Sequence, residues 1–164
     1  MKSLYSKFSE ETFKIVAIIL MFLGDLMICR WIWVKFVHNP NLEYMIRFQV
    51  KLLKKNPAFK DIDIPPTFHQ EIIAMLEKSL IITFILVVGF HTLNYLAYKM
   101  DKILAFYYLR FMTWTAGVGT LIIGLTSFSL GWIAGALLFV GFGYLFVATG
   151  FIYFPVKKNL EQET

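Results

Sequence analysis

The longest apolar stretch of the chain covers residues 103–155, where Arg110 is the only charged side chain. A helix needs about 20 apolar residues to cross the hydrocarbon core of a bilayer, so this stretch is long enough for two crossings. Small and turn-forming residues between Ser127 and Gly131 suit a tight connection near its middle. The pattern therefore predicts spans over residues 103–128 and 132–153, joined by a short turn.

Two further apolar segments, residues 13–37 and 80–98, precede this pair, and each is long enough for one helical crossing. Ser9 is placed to cap the first of them, with Glu10 and Glu11 in its first turn, where the positive end of the helix dipole favours acidic side chains. We therefore expect an all-α integral membrane protein. The four spans would form a four-helix bundle that makes a single membrane domain of residues 1–164.

Residues 38–79 form the one substantial loop, between spans one and two. Apolar residues recur in its first half with the period of an amphipathic helix, at Leu42, Met45, Ile46, Val50 and Leu53. A basic side accompanies them, made of Arg47, Lys51, Lys54 and Lys55. This helical, partly interfacial loop has two interpretations: a helix lying on the lipid headgroups, or a small cap that docks a partner subunit. After Thr67 a second helix is expected to continue into span two without a break.

A few polar residues fall at membrane depth, where ionisable groups are candidates for function. Asp25 lies near the middle of span one, and Arg110 lies in span three. His91 lies in span two, with Asn94 and Tyr95 three and four residues later on the same helix face. Because the estimated depths are similar, we expect an Asp25–Arg110 ion pair whose hydrogen bonds are completed by His91 and Asn94. Such a network could be purely structural, or could transfer protons or coordinate an ion; alternatively, Arg110 could extend to the headgroups and never meet the others.

Glycines are dense in the last two spans, and small residues allow close approach of helix backbones in membranes. The candidates for such contacts are Gly131, Gly135, Gly141 and Gly143. They could serve packing between spans three and four of one chain, or an interface between subunits.

Composition narrows the function classes. The chain is 58% hydrophobic, its formal net charge is +5, and it has one cysteine, Cys29. Basic residues are spread along the loops, so they suit lipid headgroups better than nucleic acid. A single cysteine and three dispersed histidines predict no metal site, and no cofactor is expected. No catalytic or phosphate-binding motif appears, so we do not expect an enzyme.

These observations favour a non-enzymatic four-span subunit that acts in a homo-oligomer or with other membrane subunits. In this hypothesis the loop helices dock a partner and the glycine-rich spans make lateral contacts. The alternative is a channel for an ion or small molecule, or a proton-coupled carrier, formed by oligomerised subunits. A plasma or inner membrane is expected. The charge-free turn between spans three and four would cross a membrane easily, which favours cytoplasmic termini.

Overall fold

The computed structural model describes residues 5–39, 41–57, 65 and 67–154. Within them the fold is all-α, as predicted, with five helices. These are α1 Glu10–Phe36, α2 Leu42–Leu53, α3 Phe68–Lys99, α4 Ile103–Thr126 and α5 Trp132–Tyr153. Of these, α1, α3, α4 and α5 are long and apolar enough to cross a membrane. The protein is therefore a multi-pass membrane protein, with α2 between its first two spans.

Local chemistry accounts for several helix boundaries. The Ser9 hydroxyl oxygen accepts a hydrogen bond from the Thr12 backbone N–H at 3.1 Å, so Ser9 caps α1 as expected. Helix α3 continues without a break from the loop into span two, and its 32 residues make it about 48 Å long. A short 3-10 helix, Phe128–Leu130, connects α4 to α5 and ends at Gly131, whose φ of 56° favours glycine.

The residues divide into two compact units. One contains residues 1–28 and 87–164, and the other contains residues 29–86. Because α1 and α3 each contribute to both units, this division does not cut the chain into separate sequence domains. That residues 1–164 behave as a single membrane domain remains a prediction.

The first unit has an aromatic core. Phe13 of α1 is fully buried and packs edge-on against Phe151 of α5, with ring centroids 6.1 Å apart. Phe151 in turn contacts Tyr98 and Phe106, each with a centroid distance of 5.3 Å. Edge-to-face pairs of this kind stabilise a core beyond the area that they bury. They join the ends of α1, α3, α4 and α5 that lie near the α3–α4 turn.

Glycines bring α4 and α5 together. A side chain at Gly117 would come within 2.9 Å of Leu145, one at Gly124 within 2.9 Å of Leu138, and one at Gly141 within 2.7 Å of Leu121. Leucines of each helix therefore fit against glycines of the other, as in other closely packed membrane helices.

The second unit contains α2 and the first part of α3. His69 Nε2 lies 3.3 Å from Glu43 Oε1, and Arg47 Nη2 lies 2.6 Å from the same oxygen. None of the residues of α2 is buried. The predicted amphipathic helix is therefore present, and the contact of Glu43 with His69 ties its first turn to the start of α3.

Candidate functional site

The site is built around Asp25, a carboxyl group in the interior of α1. Phe13, Ala17, Met21 and Gly24 are also buried, so Asp25 belongs to the face of α1 that turns inward. Its exposed fraction is 4%. A carboxylate this deeply buried is costly unless hydrogen bonds or charges compensate for its lost hydration.

Three side chains from two other helices provide that compensation. Asp25 Oδ2 accepts a hydrogen bond from the Tyr95 hydroxyl at 2.5 Å and lies 2.9 Å from His91 Nδ1. The Tyr144 hydroxyl lies 3.0 Å from Asp25 Oδ1 and 3.2 Å from the Met21 carbonyl oxygen. Both carboxylate oxygens therefore have partners. The cluster also connects α1 to α3 and to α5.

Gly24 makes room for Tyr144. A Cβ atom at position 24 would lie 2.5 Å from Cζ and the hydroxyl oxygen of Tyr144, which is closer than atoms can approach. The absence of a side chain at Gly24 thus lets the phenol of α5 reach the turn of α1 that carries Asp25.

His91 occupies the less enclosed side of the cluster. Its side chain is 15% exposed, compared with 4% for Asp25. The ring centroid of His91 lies 6.0 Å from that of Tyr108 in α4 and 6.2 Å from that of Tyr95. The imidazole is therefore held among aromatic rings, with Nδ1 directed at the carboxylate.

The structure brings together only part of the predicted network. Asp25 and His91 meet, but no ion pair joins Asp25 to Arg110 among the described residues. Arg110 is half-buried next to Leu109, which is fully buried, so its side chain leaves α4 beside the packed face and not from its centre. The depth estimate was too simple because it ignored the rotation of each helix about its own axis.

Asn94 is also outside the cluster. Its side-chain amide donates to the Phe90 carbonyl oxygen of the preceding turn at 2.9 Å. Tyr95, four residues after His91, occupies the place expected for Asn94. This helical spacing was visible in the sequence, whereas Gly24 and Tyr144 were not identified. The usable signal for Tyr144 was a hydroxyl-bearing aromatic in the middle of an otherwise apolar span.

The predicted contact glycines occupy different surroundings. Gly141 lies inside the α4–α5 packing, and Gly131 has the positive φ of the turn. A side chain at Gly135 would meet nothing within 4 Å, and one at Gly143 would make an ordinary contact with Leu20 at 3.8 Å. Gly141 therefore serves packing within the chain, while Gly135 is open.

A path of cavities approaches the cluster along α1 and α3. An apolar groove of about 260 Å³ is lined by Ile15, Ile18, Ile19, Phe22, Thr92, Tyr95, Leu96 and Lys99. It shares Ile15 and Lys99 with a polar cavity of about 320 Å³ beside Lys14, whose amine lies 2.5 Å from Asp101 Oδ1 and 3.0 Å from Glu10 Oε1. The groove thus extends from an ion-pair cluster to Tyr95, which contacts Asp25.

The chemistry available to the cluster is proton exchange. Asp25 and His91 can each bind one proton, and the two tyrosine hydroxyls can reorient as donors or acceptors. Among the described residues, no three His, Cys, Asp or Glu side chains are grouped to hold a metal ion. Comparisons of the chain with protein families, curated proteins and solved structures find no match.

Proposed function

We propose that the protein is a non-catalytic membrane subunit that works in a homo-oligomeric or hetero-oligomeric complex. The supporting observation is the sparse packing of α3. Only Tyr95 and Tyr98 of its 32 residues are buried, whereas nine residues of α5 are buried. A span with so few contacts in its own chain has a long face available for another helix.

The open face of α3 has a shape that suits such a contact. A Cβ atom added at Gly89 would have no neighbour within 4 Å, and one turn later comes Leu93, which is 66% exposed. Leu96, one turn further on, is 54% exposed. A glycine beside large apolar side chains forms a notch that lets a second helix approach closely.

Measurement of the mass of the detergent-solubilised protein by light scattering tests this proposal. Gly89→Leu fills the notch without a clash inside the chain, so we expect a folded protein of smaller mass than the wild type. Gly135→Leu examines the open glycine of α5 in the same way. Gly119→Leu, at an open position of α4, is the matched control and should keep the wild-type mass.

A monomeric wild-type protein would overturn the proposal. So would a wild-type mass for both Gly89→Leu and Gly135→Leu in folded protein. Helical content by circular dichroism and the thermal midpoint establish that each variant is folded.

The Asp25 cluster favours a second candidate function, a proton-coupled carrier or an ion channel formed by oligomerised subunits. A buried acid in a span with a histidine beside it is the kind of group that such a path requires. In this candidate function Asp25 and His91 pass a proton between them as the path opens to either side.

Flux into vesicles separates the two candidates. Purified protein is reconstituted with a pH-sensitive dye inside the vesicles, and a proton gradient is applied. If the carrier hypothesis is correct, the wild type conducts, Asp25→Asn does not, and Arg110→Gln conducts because Arg110 lies outside the cluster. If vesicles that contain the wild-type protein pass protons and cations no faster than empty vesicles, this candidate is excluded.

For the location we propose a plasma or inner membrane, with both termini in the cytoplasm. The support is the turn at residues 127–131, which has no charged residue and would cross the membrane easily. Labelling of a cysteine at Ser129 by an impermeant reagent in intact cells, in a Cys29→Ser background, tests the orientation. Labelling only after lysis would contradict it.

A further inference from the structure

Helix α2 uses its basic side to face its own chain. A cavity of about 410 Å³ separates it from the start of α3 and is lined by Tyr44, Arg47, Phe48, Val50, Lys51, Lys54, Pro65, Phe68 and His69. The ion pair of Glu43 with Arg47 and the contact of Glu43 with His69 lie on this side as well. Val50, which the sequence pattern assigned to the apolar side, lines this cavity.

The other side of α2 is mostly apolar, with Gln49 as its one polar residue, and it is partly open. Successive residues of an α-helix are rotated by about 100°, so Leu42, Met45, Ile46 and Leu53 lie roughly opposite Lys51. Met45 is 55% exposed and Leu53 is 48% exposed, and none of these four residues lines the cavity. Most amphipathic helices turn their apolar side toward their own protein. Here Arg47, Lys51 and Lys54 line the cavity beside α3, together with Tyr44, Phe48 and Val50, and the side with Met45 and Leu53 faces away from it.

We propose that this apolar face, defined by Leu42, Met45, Ile46 and Leu53, inserts into the interface of the membrane that the four spans cross. The proposal is independent of the oligomer and carrier hypotheses. It assigns α2 as an in-plane anchor, with its basic side toward α3 and water.

Position along the chain supports a lipid surface as the occupant. Leu42 follows the last residue of α1, Phe36, by six positions, and a chain of that length spans at most about 20 Å. The start of α2 is therefore held close to the end of a candidate span. An apolar face held at this distance from the bilayer reaches lipid without any further protein.

Charge supports the same occupant. Helix α2 and the residues directly after it carry Arg47, Lys51, Lys54 and Lys55 against one acid, Glu43. Neither Lys51 nor Lys54 forms an ion pair with a described residue. An apolar face combined with an excess of lysine and arginine on the other side is typical of helices that lie in a membrane surface.

Spin labels on the full-length protein test the insertion. In a Cys29→Ser background, single cysteines at Met45 and Leu53 report the apolar face, and one at Lys51 reports the opposite face. Phe111, which is 70% exposed on the span α4, is the lipid reference, and the exposed Gln70 is the aqueous reference. The protein is reconstituted in vesicles that contain phosphatidylglycerol, and collision with oxygen is compared with collision with a water-soluble nickel chelate.

Insertion predicts that labels at Met45 and Leu53 behave like the label at Phe111, with a ratio of oxygen to nickel collisions severalfold above that at Lys51 and Gln70. Nickel collisions at Met45 equal to those at Gln70 would show a face in water and overturn the proposal. Low collision rates with both reagents would show a protein contact, from a second copy or a partner, and would also overturn it. If Cys29→Ser does not fold, a photoreactive amino acid introduced at position 45 alone gives the same decision, since insertion predicts cross-links to lipid.

Discussion

At the scale of single residues, the central feature is a buried carboxylate with a complete set of partners. Asp25 receives contacts from His91, Tyr95 and Tyr144, which come from two helices distant in sequence. His91 and Tyr95 lose this contact if the carboxyl group is removed, whereas Tyr144 keeps the Met21 carbonyl oxygen as a partner. The cluster should therefore behave as a coupled set and not as separate contacts.

A double-mutant cycle distinguishes the observed partner of Asp25 from the one suggested by depth alone. Asp25→Asn should lower the stability by about 1–3 kcal/mol, because it replaces a carboxyl oxygen that accepts hydrogen bonds by an amide that donates them. Its effect should be strongly non-additive with that of His91→Gln and additive, within about 0.5 kcal/mol, with that of Arg110→Gln. Thermal unfolding in detergent measures both cycles. Strong coupling of Asp25 to Arg110 and none to His91 would contradict the arrangement described.

The close contact of Tyr144 with Gly24, which has no side chain, provides a second prediction at the scale of single residues. Gly24→Ala should destabilise the protein by about 1–3 kcal/mol, since the added methyl group would overlap the ring of Tyr144. Gly143→Ala is the matched control, because its methyl group would make an ordinary contact with Leu20. Equal thermal midpoints for the two variants would show that Tyr144 does not occupy this position.

At the scale of elements, the last two helices are held together by leucines that fit against glycines. Gly117 and Gly124 of α4 and Gly141 of α5 are all buried in this contact. The two helices are joined by a short connection, and such neighbours associate readily once their surfaces fit. The α4–α5 pair is therefore expected to be a stable part of the first unit.

Substitutions at two glycines of α5 test this packing. Gly141→Leu should prevent close packing of α4 and α5 and lower the thermal midpoint strongly, since Leu121 and Thr120 already occupy the space. Gly135→Leu should leave the midpoint of the dissociated protein close to the wild-type value, because the position is open. A higher sensitivity at Gly135 than at Gly141 would refute the observed contact.

At the scale of the whole molecule, the large apolar surface requires lipid. Large side chains remain exposed along all four spans, including Leu23, Ile85, Phe111 and Phe139, and Phe139 is 73% exposed. A soluble protein rarely exposes apolar patches of this extent. In the bilayer the same surface contacts acyl chains and is not exposed to water.

Membrane extraction tests this requirement directly. Alkaline carbonate and high salt should leave the protein in the membrane pellet, and a mild detergent should release it, because burial in the hydrocarbon core and not charge holds the protein there. A peripheral protein in the same preparation serves as the control for carbonate release. Recovery of this protein in the carbonate supernatant would exclude integral spans.

The sequence alone was sufficient for the number of spans, for the turn at Gly131 and for the helix at residues 42–53. It also placed Asp25 and His91 in one polar network, although the ion pair that it predicted was between Asp25 and Arg110. Apolar length and periodicity determine these features, because a segment enters lipid or lies along a surface according to its own side chains.

Tertiary structure decided which polar groups meet. Gly24 admits Tyr144 to Asp25, and the packed face of α4 leaves Arg110 outside, although its depth is similar. It also turned the basic side of α2 toward α3. The physical reason is that a helix can rotate about its axis without changing which residues it places at a given depth. The rotation that each helix adopts is set by how side chains far apart in the sequence pack together. The hydrophobic period of a single segment carries no information about that packing.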